Sequence, residues 1–374
     1  MGDYAYMSAW QSILWAAPVV IVASILMGWA AETAQLYISQ GLALAFLAWL
    51  QVSPEFAVEA VIAWEQKQSL MIANLTGSLR LLVGFGWPLI YFTKTFFSKE
   101  KRWSKLCLNW VNGLEVLTLL LSTLYFGLIW LKGSLTIIDS FFLGAIYTLY
   151  LYELTKLPKG IKEEEADLPW VGKKISSMEK TRRWPSLLFL FVLSGFLLSI
   201  STRPFLLGLE ALALTMGIPS FYFVQWCAPF VSEFPEKVTA FQWARTSKKA
   251  PMAMINMISS NIVQWTLMAG MIPIVLSLSK KEITPLIFSP LQLQEIGLTL
   301  MQSLLSLLFL MDLEINVWEA LGLFSLWGFQ FFYPSGREFA MILYGVGILA
   351  EVILLALKKK LFYALVEYRR NKNK

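Results

Sequence analysis

Apolar stretches of about 20 residues recur along this chain every 25–35 residues or so, and no other feature limits its fold as strongly. Hydrocarbon offers no partner for peptide N–H and C=O groups, so uninterrupted apolar runs of that length have to be helical. The period-2 alternation of a membrane barrel is absent. Only 15% of the residues are charged and 57% are hydrophobic, where a soluble domain carries about 25% and 45–50%. Trp10, Trp64, Trp130 and Trp184 stand at the ends of apolar stretches, as interfacial anchors do. The reading is an all-α polytopic membrane protein whose partner is the lipid bilayer.

Eleven spans are predicted, roughly 11–30, 41–64, 69–93, 106–131, 135–157, 184–208, 216–243, 251–278, 292–311, 315–333 and 338–358. The first lacks a basic leader and a small-residue cleavage site, so a retained span is expected. The longest polar stretch, 158–183, separates five spans from six. This divides the chain into a first repeat (1–157), a cytoplasmic linker (158–183), a second repeat (184–333), and an extra helix with a basic tail (334–374). With the N-terminus outside, 23 of the 31 basic residues fall in cytoplasmic segments, the pattern of the positive-inside rule. The C-terminus is then cytoplasmic, and compact loops point to a cytoplasmic (plasma) membrane. The net charge of +6 is loop asymmetry rather than affinity for nucleic acid. No pattern specifies an oligomer.

There is no histidine, which removes the commonest general base and transition-metal ligand. Cys107 and Cys227 both sit in apolar settings, so neither a disulfide framework nor a thiolate metal site is expected. The chain also lacks a His-Glu-x-x-His motif and any sizeable soluble domain, so no enzyme activity and no resident cofactor are expected.

Two segments share unusual punctuation. Val52-Ser53-Pro54-Glu55 lies within the second span and Val231-Ser232-Glu233-Phe234-Pro235-Glu236 within the seventh. Each is followed by a polar turn and a helix with small polar residues: Asn74-Leu75-Thr76-Gly77-Ser78 in one, Asn256-Met257-Ile258-Ser259-Ser260-Asn261 in the other. From Glu55 to Ser78, and from Glu236 to Ser259, the interval is 23 residues. Five spans per copy leave the copies inverted in the membrane, a plan characteristic of secondary transporters. Proline inside a helix frees carbonyl oxygens, and these, beside a carboxylate, suit hard cations such as Na⁺ or Ca²⁺.

These motifs resemble those of the sodium/calcium exchangers of the cation/calcium antiporter superfamily. That family carries Gly-Thr-Ser-Leu-Pro-Glu and then Gly-Asn-x-x-Gly-Ser-Asn in each of two inverted five-helix repeats. The resemblance implies that Glu55 and Glu236 bind the transported Ca²⁺. It also matches Ser78, and Ser259 or Ser260, to the serines of the facing helices, and Ser232 to the motif threonine. Gln51 stands at that threonine's place in the first repeat, and Val52 and Glu233 replace the motif serine. A further ligand position falls on Leu82, which cannot bind an ion, and on Gln264.

A carboxylate at mid-bilayer costs at least about 2.5–3.5 kcal/mol, so Glu55 and Glu236 read as functional. Glu233 is a candidate ligand with them. Ser53, Asn74, Asn256 and Gln264 are further candidates, the amides equally suited to interhelical hydrogen bonding. Arg80, Lys237 and Glu59 are expected to adjust the charge of the site, the alternative for the two bases being that they snorkel to an interface. Glu115, Asp139, Glu210, Glu319 and Glu351 lie in or near spans, with no spacing that separates ligands from satisfied polar groups. The acidic stretch 162–167 reads as a solvated linker. The leading function is an antiporter exchanging Ca²⁺ or another hard cation for Na⁺ or H⁺ by alternating access, with small inorganic cations as its partners. The alternatives are a Na⁺/H⁺-type exchanger and a non-transporting sensor or enzyme on an exchanger-like fold.

Overall fold

The computed structural model describes residues 3–35, 37, 49, 52–97, 102–156, 168–246 and 248–372. Most of 41–51, with Leu50 and Gln51, and the acidic stretch 162–167 lie outside the described residues. Eight described helices are long and apolar enough to cross a membrane: Gln11–Ala30, Gln68–Phe97, Trp110–Lys132, Ile137–Thr155, Lys180–Thr215, Ala250–Lys280, Pro290–Leu310 and Arg337–Leu357. They match eight of the eleven predicted spans. Of the other three, only the second half of 41–64 is described, 216–243 is interrupted at Glu233, and 315–333 is a 16-residue helix.

In chain order the helices of the first half are α1 (Asp3–Gln35), α2 (Ser53–Trp64), α3 (Gln68–Leu81), α4 (Trp87–Phe97), α5 (Gly113–Lys132) and α6 (Ile137–Thr155). A short α7 (Trp170–Ser176) leads into α8 (Lys180–Thr215), α9 (Ser220–Ser232), α10 (Phe234–Ala244) and α11 (Ala250–Val263). Then follow α12 (Ala269–Lys280), α13 (Pro290–Leu310), α14 (Val317–Phe332), α15 (Arg337–Leu357) and α16 (Tyr363–Lys372). The strands are two-residue pieces: β1 (Leu106–Cys107), β2 (Ser134–Leu135), β3 (Leu286–Ile287) and β4 (Glu314–Ile315).

The chain forms two compact units, and each draws on both repeats: Met1–Asn74 with Leu154–Glu236, and Leu75–Glu153 with Lys237–Lys374. In the first unit α1 lies along α8. The hydroxyls of Ser194, Ser201 and Thr202 on α8 donate to carbonyls four residues back, each at 2.6 Å, which satisfies them without water. The polar turn after α2 is pinned by Lys67, whose Nζ donates to Glu210 Oε2 at 2.6 Å.

The second unit carries the marks of inversion. β1 pairs antiparallel with β4, and β2 with β3, so the strand before α5 meets the strand after α13 and the reverse. Corresponding strands lie 180 residues apart in the sequence. Asp139 and Glu319, also 180 apart, play one role. Asp139 Oδ2 accepts from the backbone N–H of Thr136 at 2.7 Å, and Glu319 Oε2 from that of Asn316 at 2.9 Å. Both are capping carboxylates, which satisfy amides that a helix start leaves open.

A π turn interrupts each motif-bearing helix: Leu82–Gly86 joins α3 to α4, and Gln264–Met268 joins α11 to α12. Such turns insert one residue and frequently mark functional sites. Glycine lets the first turn pack. A Cβ on Gly84 would lie 2.3 Å from Trp327 Cβ, and one on Gly86 would lie 3.1 Å from Met257 Sδ.

A buried polar network braces the same segment. Arg80 donates through Nη2 to Glu295 Oε2 at 2.5 Å and through Nη1 to Gln330 Oε1 at 3.0 Å. Gln302 Nε2 donates to the Arg80 carbonyl at 2.9 Å, just before the π turn. Arg337 of α15 also pairs with Glu295, and Tyr344 of α15 donates to Gln302 Oε1 at 3.0 Å. The extra C-terminal helix thus holds α3 through α13 and α14.

Two outcomes follow from this packing. Gly84→Val forces Trp327 aside and should cost about 1–3 kcal/mol, read as a lower melting temperature of the purified protein in detergent. Glu295→Gln leaves two buried guanidinium groups without their shared carboxylate and should cost about 3–5 kcal/mol in the same measurement.

Candidate cation site

The Pro-Glu pairs do not sit in mid-helix, as the sequence suggests. Pro54 and Pro235 are each the second residue of a helix, and Glu55 and Glu236 each the third. The reason is local: proline lacks an N–H and is tolerated in the first helical turn, where the donor would be orphaned anyway. In the second repeat α9 ends at Ser232, Glu233 caps it, and α10 starts at Phe234. The open backbone groups are therefore first-turn amides of the new helix and last-turn carbonyls of the old one. The amides lie at the positive end of the helix dipole.

The first unit gathers most of the acidic candidates. Glu55, Glu59, Glu233 and Glu236 are all buried, as are Asn74 and Ser232. The Ser232 hydroxyl shares its hydrogen between Glu55 Oε2 at 3.2 Å and the Ala228 carbonyl at 3.0 Å. A residue of the second repeat's motif thereby meets the glutamate of the first. Asn74 Nδ2 donates to Glu59 Oε2 at 2.8 Å. Glu59 Oε1 and Asn74 Oδ1 are then left buried without a hydrogen-bond partner. Two buried acceptor oxygens in this condition are costly unless a proton or a cation meets them. Ser53, the first residue of α2, is half-buried.

In the second unit Ser78, Asn256, Ser259, Ser260 and Gln264 are buried on the motif-bearing helices and the turn that follows. Ser259 Oγ is hydrogen-bonded to the Tyr150 hydroxyl at 3.2 Å. Asn261 is fully buried, and neither side-chain atom has a hydrogen-bond partner. Leu82 and Gln264, the matched positions at which one ligand is missing, each open a π turn. Lys237 is buried directly after Glu236.

Arg80 is buried rather than snorkelling, and its guanidinium is committed to Glu295 and Gln330. It stands two residues from Ser78, about 200° round the helix, so it faces away from the motif serine. Glu295, Gln302, Gln330, Arg337 and Tyr344 were not singled out from the sequence. The interval of 180 residues between Glu115 and Glu295 was available there as a signal.

Among the described residues no group of three or more acidic, cysteine or histidine side chains is close enough together to hold a metal ion. The candidates of the first unit offer carboxylate, hydroxyl and amide oxygens, the donor chemistry of hard cations.

The sequence profile of a family described as "Sodium/calcium exchanger protein" matches residues 7–156 and 186–335. A crystal structure of an H⁺/Ca²⁺ exchanger, CAX, is 34% identical, covers 98% of this chain and 91% of its own, and superposes with a TM-score of 0.88. The sodium-calcium exchanger NCX_Mj shares the fold at 18% identity, with a TM-score of 0.55 over 88% of this chain and 99% of its own. Native YfkE shares it at 15% identity, with a TM-score of 0.61 over 91% and 94%. A search of curated protein sequences finds no match. The motif resemblance, the inverted repeats and the extent of these matches agree: the chain belongs to the sodium/calcium exchanger protein family.

Proposed function

We propose that this chain is a secondary antiporter that moves Ca²⁺ against H⁺ by alternating access. The observation that carries the reading is the contact of Ser232 with Glu55, which joins the motifs of both repeats in one buried, oxygen-rich cluster. H⁺ is favoured over Na⁺ by the likeness to the H⁺/Ca²⁺ exchanger, 34% identical along 98% of the chain. The buried Glu59–Asn74 pair, with two acceptor oxygens unsatisfied, suits a group that alternates between proton and cation.

Glu55 and Glu236 are the principal ligands of the transported ion, with the Ser232 hydroxyl beside Glu55. Glu233, Glu59, Ser53 and Asn74 are further candidate donors of the first unit, not all on the ion at once. Ser78, Asn256, Ser259, Ser260 and Gln264 are candidate oxygen donors of the second unit. Arg80 serves the fold rather than the charge of the ion, since its partner is Glu295. The repeats are taken as 1–157 and 184–333 around a cytoplasmic linker at 158–183. The N-terminus is placed outside a plasma membrane and the C-terminus in the cytoplasm.

Purified protein in proteoliposomes should take up radiolabelled Ca²⁺ when driven by a pH gradient and not by an outward Na⁺ gradient. Glu55→Gln and Glu236→Gln should each reduce that uptake at least about 10–100-fold. Uptake driven by Na⁺ alone would reassign the counter-ion. Undiminished uptake in both variants would refute the ligand assignment.

A further inference from the structure

Glu115 on α5 and Glu295 on α13 occupy corresponding places in the two repeats, 180 residues apart like the strands and capping carboxylates around them. Their surroundings differ. Glu295 is fully buried and is shared by two arginines, Arg80 and Arg337. Glu115 is equally buried, at 2% exposure, and its Oε2 has no hydrogen-bond partner. Among the described residues no lysine or arginine acts on it, and its polar neighbours are Asn112 and its own backbone amide.

The helices packed on α5 supply no substitute cation. On α6 the titratable group that interacts electrostatically with Glu115 is Tyr150, with Tyr147 beside it at a ring separation of 6.1 Å. On α11 and the π turn after it there is no titratable side chain. On α13 the sole titratable group is Glu295, itself held by the arginines. On α16, Lys372 and Tyr368 both go to Glu153 and Arg370 pairs with Glu367, while Arg369 is exposed.

A carboxylate so placed is stable only as the neutral acid or with a mobile cation beside it, because an uncompensated buried charge is far too costly. The link from Glu115 toward α11 runs through Tyr150. Tyr150 interacts with Glu115 and is hydrogen-bonded at 3.2 Å to Ser259, the tenth residue of α11. Glu115 is the third residue of α5, so the cluster leads inward from a helix end.

We propose that Glu115 is a proton-binding site of the exchanger, lying outside both ion motifs and coupled through Tyr150 to Ser259. It binds one proton to give the neutral acid and returns that proton to water as the carboxylate, with no change in electron count. At the corresponding place in the second repeat the carboxylate is instead paired with Arg80 and Arg337. The coupling to transport rests on the antiport reading above, whereas the proton site itself does not.

Infrared difference spectroscopy of the purified protein, titrated through neutral pH, tests the site without transport. Wild type should show a carboxylic-acid C=O band that Glu115→Gln lacks and Glu115→Asp restores at shifted frequency. Identical bands in wild type and Glu115→Gln overturn the proposal. In proteoliposomes Glu115→Gln should move the pH midpoint of Ca²⁺ uptake by about one unit or more and lower the H⁺ released per Ca²⁺ by about one. Tyr150→Phe should keep the infrared band and still alter the pH profile. An unchanged profile and ratio in Glu115→Gln overturn the coupling. A wild type that takes up no Ca²⁺ while its Glu115 band persists refutes the antiport reading and leaves the proton site standing.

Discussion

Hydrocarbon does not hydrogen-bond, and most of this structure is a consequence of that constraint. It makes the apolar runs helical, and it makes every departure from a helix expensive. Among the described residues several of these departures are visibly compensated. The break at Glu233 is capped, the starts of α6 and α14 are closed by Asp139 and Glu319, and the serines of α8 bond back to their own helix. Ahead of the first π turn, the Arg80 carbonyl is met by the Gln302 amide. The two π turns and the two Pro-Glu helix starts recur at matching places in the two repeats.

Charge follows the same logic. Buried carboxylates require protons, cations or basic side chains, and the chain uses these differently in its two halves. Glu295 has two arginines, one from the last long helix, so that helix completes a buried ion cluster as well as adding a span. The first unit holds four buried glutamates, of which Glu55 and Glu236 stand in the first turn of a short helix and Glu233 caps the helix before. That arrangement is suited to an ion that arrives and leaves, whereas the arginine-held cluster is suited to permanence.

The spans, the repeat and the Pro-Glu motifs were legible in the amino-acid sequence. Apolar length reports directly on membrane crossing, and eight of the eleven predicted spans reappear as long apolar helices. The family was legible too, because the motifs keep their spacing. The two π turns were not, since an inserted residue changes backbone register without changing composition. The position of Pro54 and Pro235 was misjudged for a related reason: a proline in an apolar run reads alike whether it bends a helix or begins one.

By itself, then, the sequence determined an all-α membrane protein with inverted repeats and paired glutamates, because hydropathy and motif spacing are properties of neighbours along the chain. Only the tertiary structure decided which charges are compensated. Arg80 meets Glu295 across 215 positions, Ser232 meets Glu55 across 177, and Tyr150 meets Ser259 across 109. Whether a buried carboxylate is an ion pair, a ligand or a proton carrier depends on what stands within a few ångströms of it. Helices that fold back from distant parts of the chain set that distance.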